Sequence, residues 1–442
     1  MRRICRAALL ASALIAGVSP ARAADPEETT RADEAALLAN GPTDIGATIQ
    51  QSVPQPGAIF PNFTWGLREQ YEAWKRRLWD ENGLRFAFNY SQLYQYATDT
   101  LPIAPSKSSN SVWVALDMVW APIDRGGPNQ GSLNVTLAYR GPFNSDPVAA
   151  VFGVPVVGSL WSAYEWGNWD SIVFENIFWE QQVAGDFRVR FGNQAPGAIY
   201  NFSRFKDPRT SFTASPFAFH ETIPYPAIGF GVAGRWQPAP LLGPYAVLTI
   251  NDMNADPQSG PDWSKVLSES QFFSGAEFGY RWPEANGGFS HMHVDLFYAD
   301  ERAINPAALP NAAGWGFRVY GEKQIDRTVL FGGYTYNTAR GGGIGATLAR
   351  KTVTGGIAYL NPMDIRGEVA LGLAWSEPFT NTLGAAVPGF TAREQYGFEL
   401  YWRAQLTPNT SLTPGLQVIA NPSFNVGENV IAIPSIKFRV SF

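Results

Sequence analysis

From about residue 84 onward, apolar and polar residues exchange places at every second position, in segment after segment. Val112, Val114, Leu116, Met118 and Trp120 fall on one face, and Trp113, Ala115, Asp117 and Val119 on the other. Leu133, Val135, Leu137 and Tyr139 alternate with Ser132, Asn134, Thr136, Ala138 and Arg140. Ala276, Phe278, Tyr280 and Trp282 oppose Gly275, Glu277, Gly279 and Arg281. Met292, Val294, Leu296 and Tyr298 oppose His291, His293 and Asp295, and Ile436, Phe438, Val440 and Phe442 oppose Ser435, Lys437, Arg439 and Ser441. Period two is the signature of strands. Each segment is about ten residues, the length a tilted strand needs to cross a bilayer. A soluble sandwich also alternates, but its polar face is the outer one and its turns come more often. Here the polar face repeatedly carries ionised Arg and Glu. That suits the wall of a water-filled lumen, with the apolar face toward lipid and Trp or Tyr at its ends.

Composition agrees once this pattern is known. Charged residues make up 16% of the 442, against roughly 25% in a typical soluble chain. Aromatic residues make up 14% and apolar residues 45%, yet mean hydropathy is only −0.13. No later run approaches the ~18 apolar residues of a spanning helix. The apolar content argues against general disorder. A formal charge of −5 provides no basic excess for nucleic acid.

The first residues read as an export signal. Arg2, Arg3 and Arg6 precede an apolar run from Ala7 to Val18, and Ala21-Arg22-Ala23 resembles a cleavage site. Residues 1–23 are therefore expected to be removed, and Cys5, the one cysteine, with them. Residues 24–63 show no core pattern and are expected to be mobile. Over 64–83, Leu67, Tyr71, Trp74 and Leu78 recur at helical spacing, Thr64 offers an N-cap and Gly83 a stop. A short amphipathic helix is expected there, sealing the periplasmic mouth or lying on the rim.

The remainder, 84–442, divides into about sixteen strands, an even number that suits a bacterial barrel with an aqueous channel. They fall near 84–96, 110–121, 131–141, 171–183, 186–194, 226–237, 243–252, 272–282, 290–299, 314–324, 327–337, 351–360, 365–376, 393–406, 410–420 and 431–442. Connections after odd strands are long, such as 142–170 and 195–225; most after even strands are short, such as Ala184-Gly185. This rhythm of long outer loops and short periplasmic turns is that of an outer-membrane barrel. The fold class expected is all-β: a transmembrane antiparallel β-barrel with a short N-terminal amphipathic helix.

Several stretches carry a family resemblance. GLREQYEAWKRRLWDENGLRFAFNYS (66–91) resembles the opening helix and first strand of the carbohydrate-selective porin family, the OprB type. FENIFWEQQVAGDFRVRFGNQ (174–194) is similar to its hairpin with a basic return strand. YPAIGFGVAGRWQP (225–238) and INDMNADP (250–257) follow in the family's order. EQYGFELYWRAQLTPNTSLTPGLQVIANP (394–422) resembles its closing hairpin. The terminal FRVSF resembles the aromatic signal read by the barrel insertion machinery, through Phe442. Residues 24–62 and the GGGIGATLARK stretch (341–351) have no counterpart in the family's pattern. The resemblance implies sugar diffusion through a sixteen-stranded barrel in the bacterial outer membrane, glucose-like monosaccharides among the solutes.

Sugar edges need Arg, Glu, Asp and Asn, and sugar faces need aromatic rings. Binding must stay weak for the solute to leave. Parity places Asp117, Arg140, Asp295, Arg318, Glu322, Glu368, Glu399, Arg403, Lys437 and Arg439 inward, with Phe178, Tyr320 and Tyr401. The residues chosen for a selective constriction are Glu180, Arg188, Arg190, Arg235, Glu277 and Arg281, on strands flanked by the longest loops, with Trp113 and Trp166 for stacking. The bland alternative is that such charges only solvate the wall or pair across it. Loop 142–170 is a candidate to fold inward, with Trp161, Tyr164, Trp166 and Trp169 as stacking surfaces; loop 195–225 is another.

Catalysis has little support. His291 and His293 share a strand face with Asp295, but two imidazoles and a carboxylate on one strand do not complete a closed metal site. His220 has no nucleophile motif beside it, and the Gly-rich 341–345 lacks the Lys of a phosphate loop. No cofactor, metal or catalytic residue is expected. The partners expected are carbohydrates or other small polar solutes, outer-membrane lipids and the insertion machinery; a homo-oligomer is compatible with the strand-end Trp and Tyr. Polyols and organic acids are alternative solutes. An outer-membrane enzyme and an export-system component are the other classes.

Overall fold

The computed structural model describes residues 41–442 except 55, 64–67, 170, 219–221, 239–241, 257, 259–262, 286–287, 303–311, 340–347 and 380–391. Period-two alternation resolves into sixteen strands. The first six are β1 (Leu84–Tyr96), β2 (Ser108–Ile123), β3 (Gly131–Pro142), β4 (Val173–Val183), β5 (Phe187–Gln194) and β6 (Gly229–Trp236). Then come β7 (Gly243–Asp252), β8 (Phe272–Pro283), β9 (Phe289–Ala299), β10 (Gly314–Ile325) and β11 (Thr328–Asn337). The last are β12 (Ala349–Leu360), β13 (Gly367–Pro378), β14 (Gln395–Thr407), β15 (Thr410–Ala420) and β16 (Val430–Ser441). Every end lies within three residues of its sequence-based position.

Each strand pairs antiparallel with its chain neighbours, and β1 closes the barrel on β16 through the Asn89↔Ser441 to Gln95↔Ser435 register. Closure removes the exposed edges that lipid cannot hydrogen-bond. The β4–β5 turn is three residues, Ala184, Gly185 and Asp186, the first two at positive φ (52° and 81°). That left-handed pair matches the twist of a tight hairpin.

Burial is inverted relative to a soluble protein. Along β9, Met292, Leu296 and Tyr298 are about half exposed, whereas His291, His293 and Asp295 have 0–1% exposure. The same holds on β8, where Phe278 and Tyr280 are exposed and Glu277 and Arg281 are not. The apolar face points outward and the ionisable face is enclosed, as lipid requires.

Among the described residues, two helices precede the barrel. The expected amphipathic helix is α2 (Arg68–Asn82), ended at Gly83, which has φ +69°. Thr64 and Leu67 lie outside the described residues. Tyr71 and Trp74 meet the outward-facing Phe86 at ring distances of 6.4 and 5.4 Å. Arg125, in the β2–β3 turn, donates to the Trp79 and Asp80 carbonyls. The helix thus lies on the rim that carries the β2–β3 turn, against the outer face of β1.

The expectation of a mobile segment over 24–63 does not describe residues 45–52. They form α1 (Ile45–Ser52), whose Ile45 and Ile49 pack inside the barrel on Ala87 and Phe178. Gly57, Ile59 and Phe60 then hydrogen-bond the backbone of Arg366, Gln405 and Leu406 at the rim that carries the short turns, the same one α2 rests on. This ordering needs contacts with a closed wall, so no local pattern foretells it. Residues 1–40, including the expected signal peptide, lie outside the described part.

Candidate functional site: the lumen

The interior is crossed by two outer loops. The loop between β5 and β6 is held at four places around the wall. Glu277 on β8 accepts from Asn201 N (2.5 Å) and from Tyr245 Oη (2.6 Å). Glu322 on β10 accepts from Arg204 N (3.0 Å) and Arg204 Nε (2.6 Å). Glu399 on β14 accepts from the backbone N–H groups of Thr213 and Ala214, each at 2.7 Å. Lys437 on β16 donates to the Ser211 carbonyl. Within the loop, Lys206 donates to three carbonyls, Gly197, Tyr200 and Asn201, at 2.6–3.0 Å. Such charge-assisted bonds are about twice as strong as neutral ones. Irregular backbone at membrane depth is tolerated here because the wall satisfies it.

The loop between β3 and β4 also runs inward. Leu160 N donates to Gln395 Oε1 (3.1 Å), and Trp161 Nε1 donates to Ser376 Oγ (3.0 Å). Both partners lie across the barrel. Trp161, Tyr164, Trp166 and Trp169 are all buried. Their rings therefore pack the loop, and present no broad face to a solute. Trp113 is likewise enclosed: Arg140 lies 3.6 Å and Arg209 4.9 Å from its ring centroid, and Trp166 meets it edge-on at 5.9 Å.

All six charged residues chosen from sequence face inward, but they do not form one ring. Glu180 and Arg190 are cross-strand partners joined at 2.5 Å. Arg190 also grips Asp44 Oδ2 at 2.5 Å. Arg188 and Arg235 are paired across β5–β6. Arg281 lies 4.4 Å from the ring centroids of both Phe202 and Tyr245 and donates to Gln237 Oε1 (3.1 Å). Glu277 anchors the β5–β6 loop, as described. Sequence reasoning missed Asp44, Arg204, Lys206 and Arg209, which lie outside the strands and have no alternation to reveal them.

A cavity of about 710 Å³, including its mouth, lies between α1, the β2–β4 wall and the inward loops. Asp117, Arg140, Glu165, Glu175 and Arg209 bring both signs of charge to it. Arg140 pairs with Glu175 and donates to the Glu165 carbonyl. Burial pushes the Glu165 carboxyl up to about 7, although Arg140 opposes it. Such a mixed lining suits an uncharged polyhydroxyl solute, whose groups both donate and accept.

Ligand atoms of Glu277, His293 and Asp295 lie within 4.8 Å of one another. The set gains Glu277 relative to the pair and carboxylate visible on one strand. Its charge is already compensated: Arg318 lies 3.9 Å from Asp295, and both Glu277 oxygens accept hydrogen bonds. His291 and His293 stack at 5.4 Å as part of this polar wall. His220 and the 341–345 stretch lie outside the described residues.

Comparison with known proteins follows this geometry. The structure of Pseudomonas putida OprB at high pH has a TM-score of 0.62 to this chain at 14% identity, covering 84% of this chain and 97% of that one. The same protein's low-pH structure scores 0.48 at 15% identity. An uncharacterised protein of Synechocystis sp. is 24% identical over 358 residues, 70% of this chain. The chain spans 64% of that relative's length. The sequence model described as carbohydrate-selective porin, OprB family, matches residues 179–442. With the closed sixteen-stranded wall, this makes the chain a member of the carbohydrate-selective porin family.

Proposed function

We propose that the protein is a passive outer-membrane channel for neutral carbohydrates, with monosaccharides such as glucose as the natural size class. The observation that carries this reading is the cavity beside the two inward loops, to which Asp117, Arg140, Glu165, Glu175 and Arg209 bring charges of both signs. Neutral hydroxyl solutes exchange hydrogen bonds with such a lining without meeting a net field. Weak, multiple contacts permit exit as well as entry. Glu180, Arg188, Arg190, Arg235, Glu277 and Arg281 act partly by direct contact and partly by holding the loops that set the passage. Trp113 and Trp166 contribute by fixing loop and guanidinium positions.

Liposome swelling with a size series of sugars tests this. Swelling that falls steeply from monosaccharides to larger sugars is expected. No swelling by any sugar, with a folded barrel, would overturn it. Equal or faster entry of organic acids would favour the alternative solutes.

A further inference from the structure

The N-terminal helix brings a second carboxylate to a wall guanidinium that already holds Glu180. Asp44 is the N-cap of α1: its Oδ1 accepts from Gly46 N at 2.9 Å. Its Oδ2 accepts from Arg190 at 2.5 Å. One carboxylate thus caps the helix and adds a second anion, beside Glu180, to the Arg190 guanidinium of the wall. The helix is held along its length. Thr48 Oγ1 accepts from Arg209 (3.4 Å), Gln51 Oε1 from Arg439 (2.7 Å), and the Ser52 carbonyl from Asn409 (3.4 Å). Arg188 lies close enough to act on Asp44 through space. These contacts fall where β5 begins, a few residues from the periplasmic turn at Ala184 and Gly185.

We propose that Asp44 sets the charge selectivity of the channel: carried in by α1, it joins Glu180 in offsetting the Arg188 and Arg190 charges in the periplasmic half and so disfavours anionic solutes. This rests on the porin reading above. A fixed charge in a narrow, partly dehydrated passage acts on permeating ions far more strongly than one on an open surface. Placing that charge on a segment outside the barrel strands makes selectivity separable from the wall.

The geometry supplies a clean variant. Asn caps helices about as well as Asp, so Asp44→Asn keeps the Gly46 bond and removes only the charge. The full mature chain is reconstituted in planar bilayers, and reversal potentials are read across a potassium chloride gradient. Asp44→Asn is expected to raise the chloride-to-potassium permeability ratio at least about two-fold. Arg190→Gln is expected to lower it, and the double variant to return toward the parent value. Heat-modified gel mobility verifies that each barrel is folded. An unchanged ratio in folded Asp44→Asn channels would overturn the proposal. So would shifts in the same direction for Asp44→Asn and Arg190→Gln, since general loosening has no sign. If the parent chain forms no channel, the porin reading fails and this proposal with it.

Discussion

The two faces of the barrel wall are built from the same strands and obey opposite rules. On β9, Leu296 is exposed and Asp295 beside it is enclosed. Outside, each side chain meets lipid and acts nearly alone. Inside, many charges are committed to a partner from another part of the chain, as Glu399 is to Thr213 and Ala214. Outer substitutions should therefore act on folding through the residue's own transfer cost. Inner ones should act on the passage through what they hold.

The largest effect is expected outside. Leu248→Arg or Leu296→Arg puts a charge among lipid-facing residues and should destabilise the barrel by roughly 2–4 kcal/mol near the bilayer midplane. Denaturant unfolding in lipid would measure this. A loss equal to that of an inward substitution on the same strand would break the comparison. Next comes Glu399→Gln, which weakens the grip on Thr213 and Ala214. A cost of about 1–3 kcal/mol is expected, with noisier single-channel current as the β5–β6 loop loosens. Unchanged noise would show that the other anchors suffice.

Replacing Arg188 and Arg190 with Ala should alter sugar permeation several-fold while the barrel still folds. Unchanged sugar affinity and permeation would remove both from the selective set. Trp113→Leu should cost less stability than opening the core of a soluble protein, because Arg140 and Arg209 can repack on Leu; its readout is sugar-entry rate. The smallest effect concerns pH. The Glu165 carboxyl is raised to about 7 in the folded chain, so protonation favours the folded state. Its contribution is fully present below the ordinary carboxylate range and is lost as pH rises through about 7. Glu165→Gln should flatten the difference in stability between pH 5 and pH 8; an unaltered difference would place its origin elsewhere.

Much of the wall was legible in the residues themselves. Strand identity depends on which side chains flank each other at period two, and that pattern is local. It placed all sixteen strands and the inward side of Asp117, Arg235, Glu277 and Lys437. The same pattern said nothing about what those charges hold. Glu399 reads as one more polar wall residue until Thr213 and Ala214, some 185 positions away, present their N–H groups to it. Trp166 reads as a stacking surface until Trp113 and the surrounding loop enclose it.

The two helices mark the same divide. Residues 68–82 announce α2 by their spacing, yet only the folded barrel decides that it rests on the rim beside Phe86. Residues 45–52 announce nothing, and become a helix because Arg190, Arg209 and Arg439 bind it within the closed lumen. The sequence by itself determined a lipid-facing wall with a charged interior, since alternation and strand length are properties of neighbouring residues. Only the tertiary structure decided what fills that interior. Loops and α1 satisfy their polar groups with partners far along the chain, and such partners exist only once the barrel has closed.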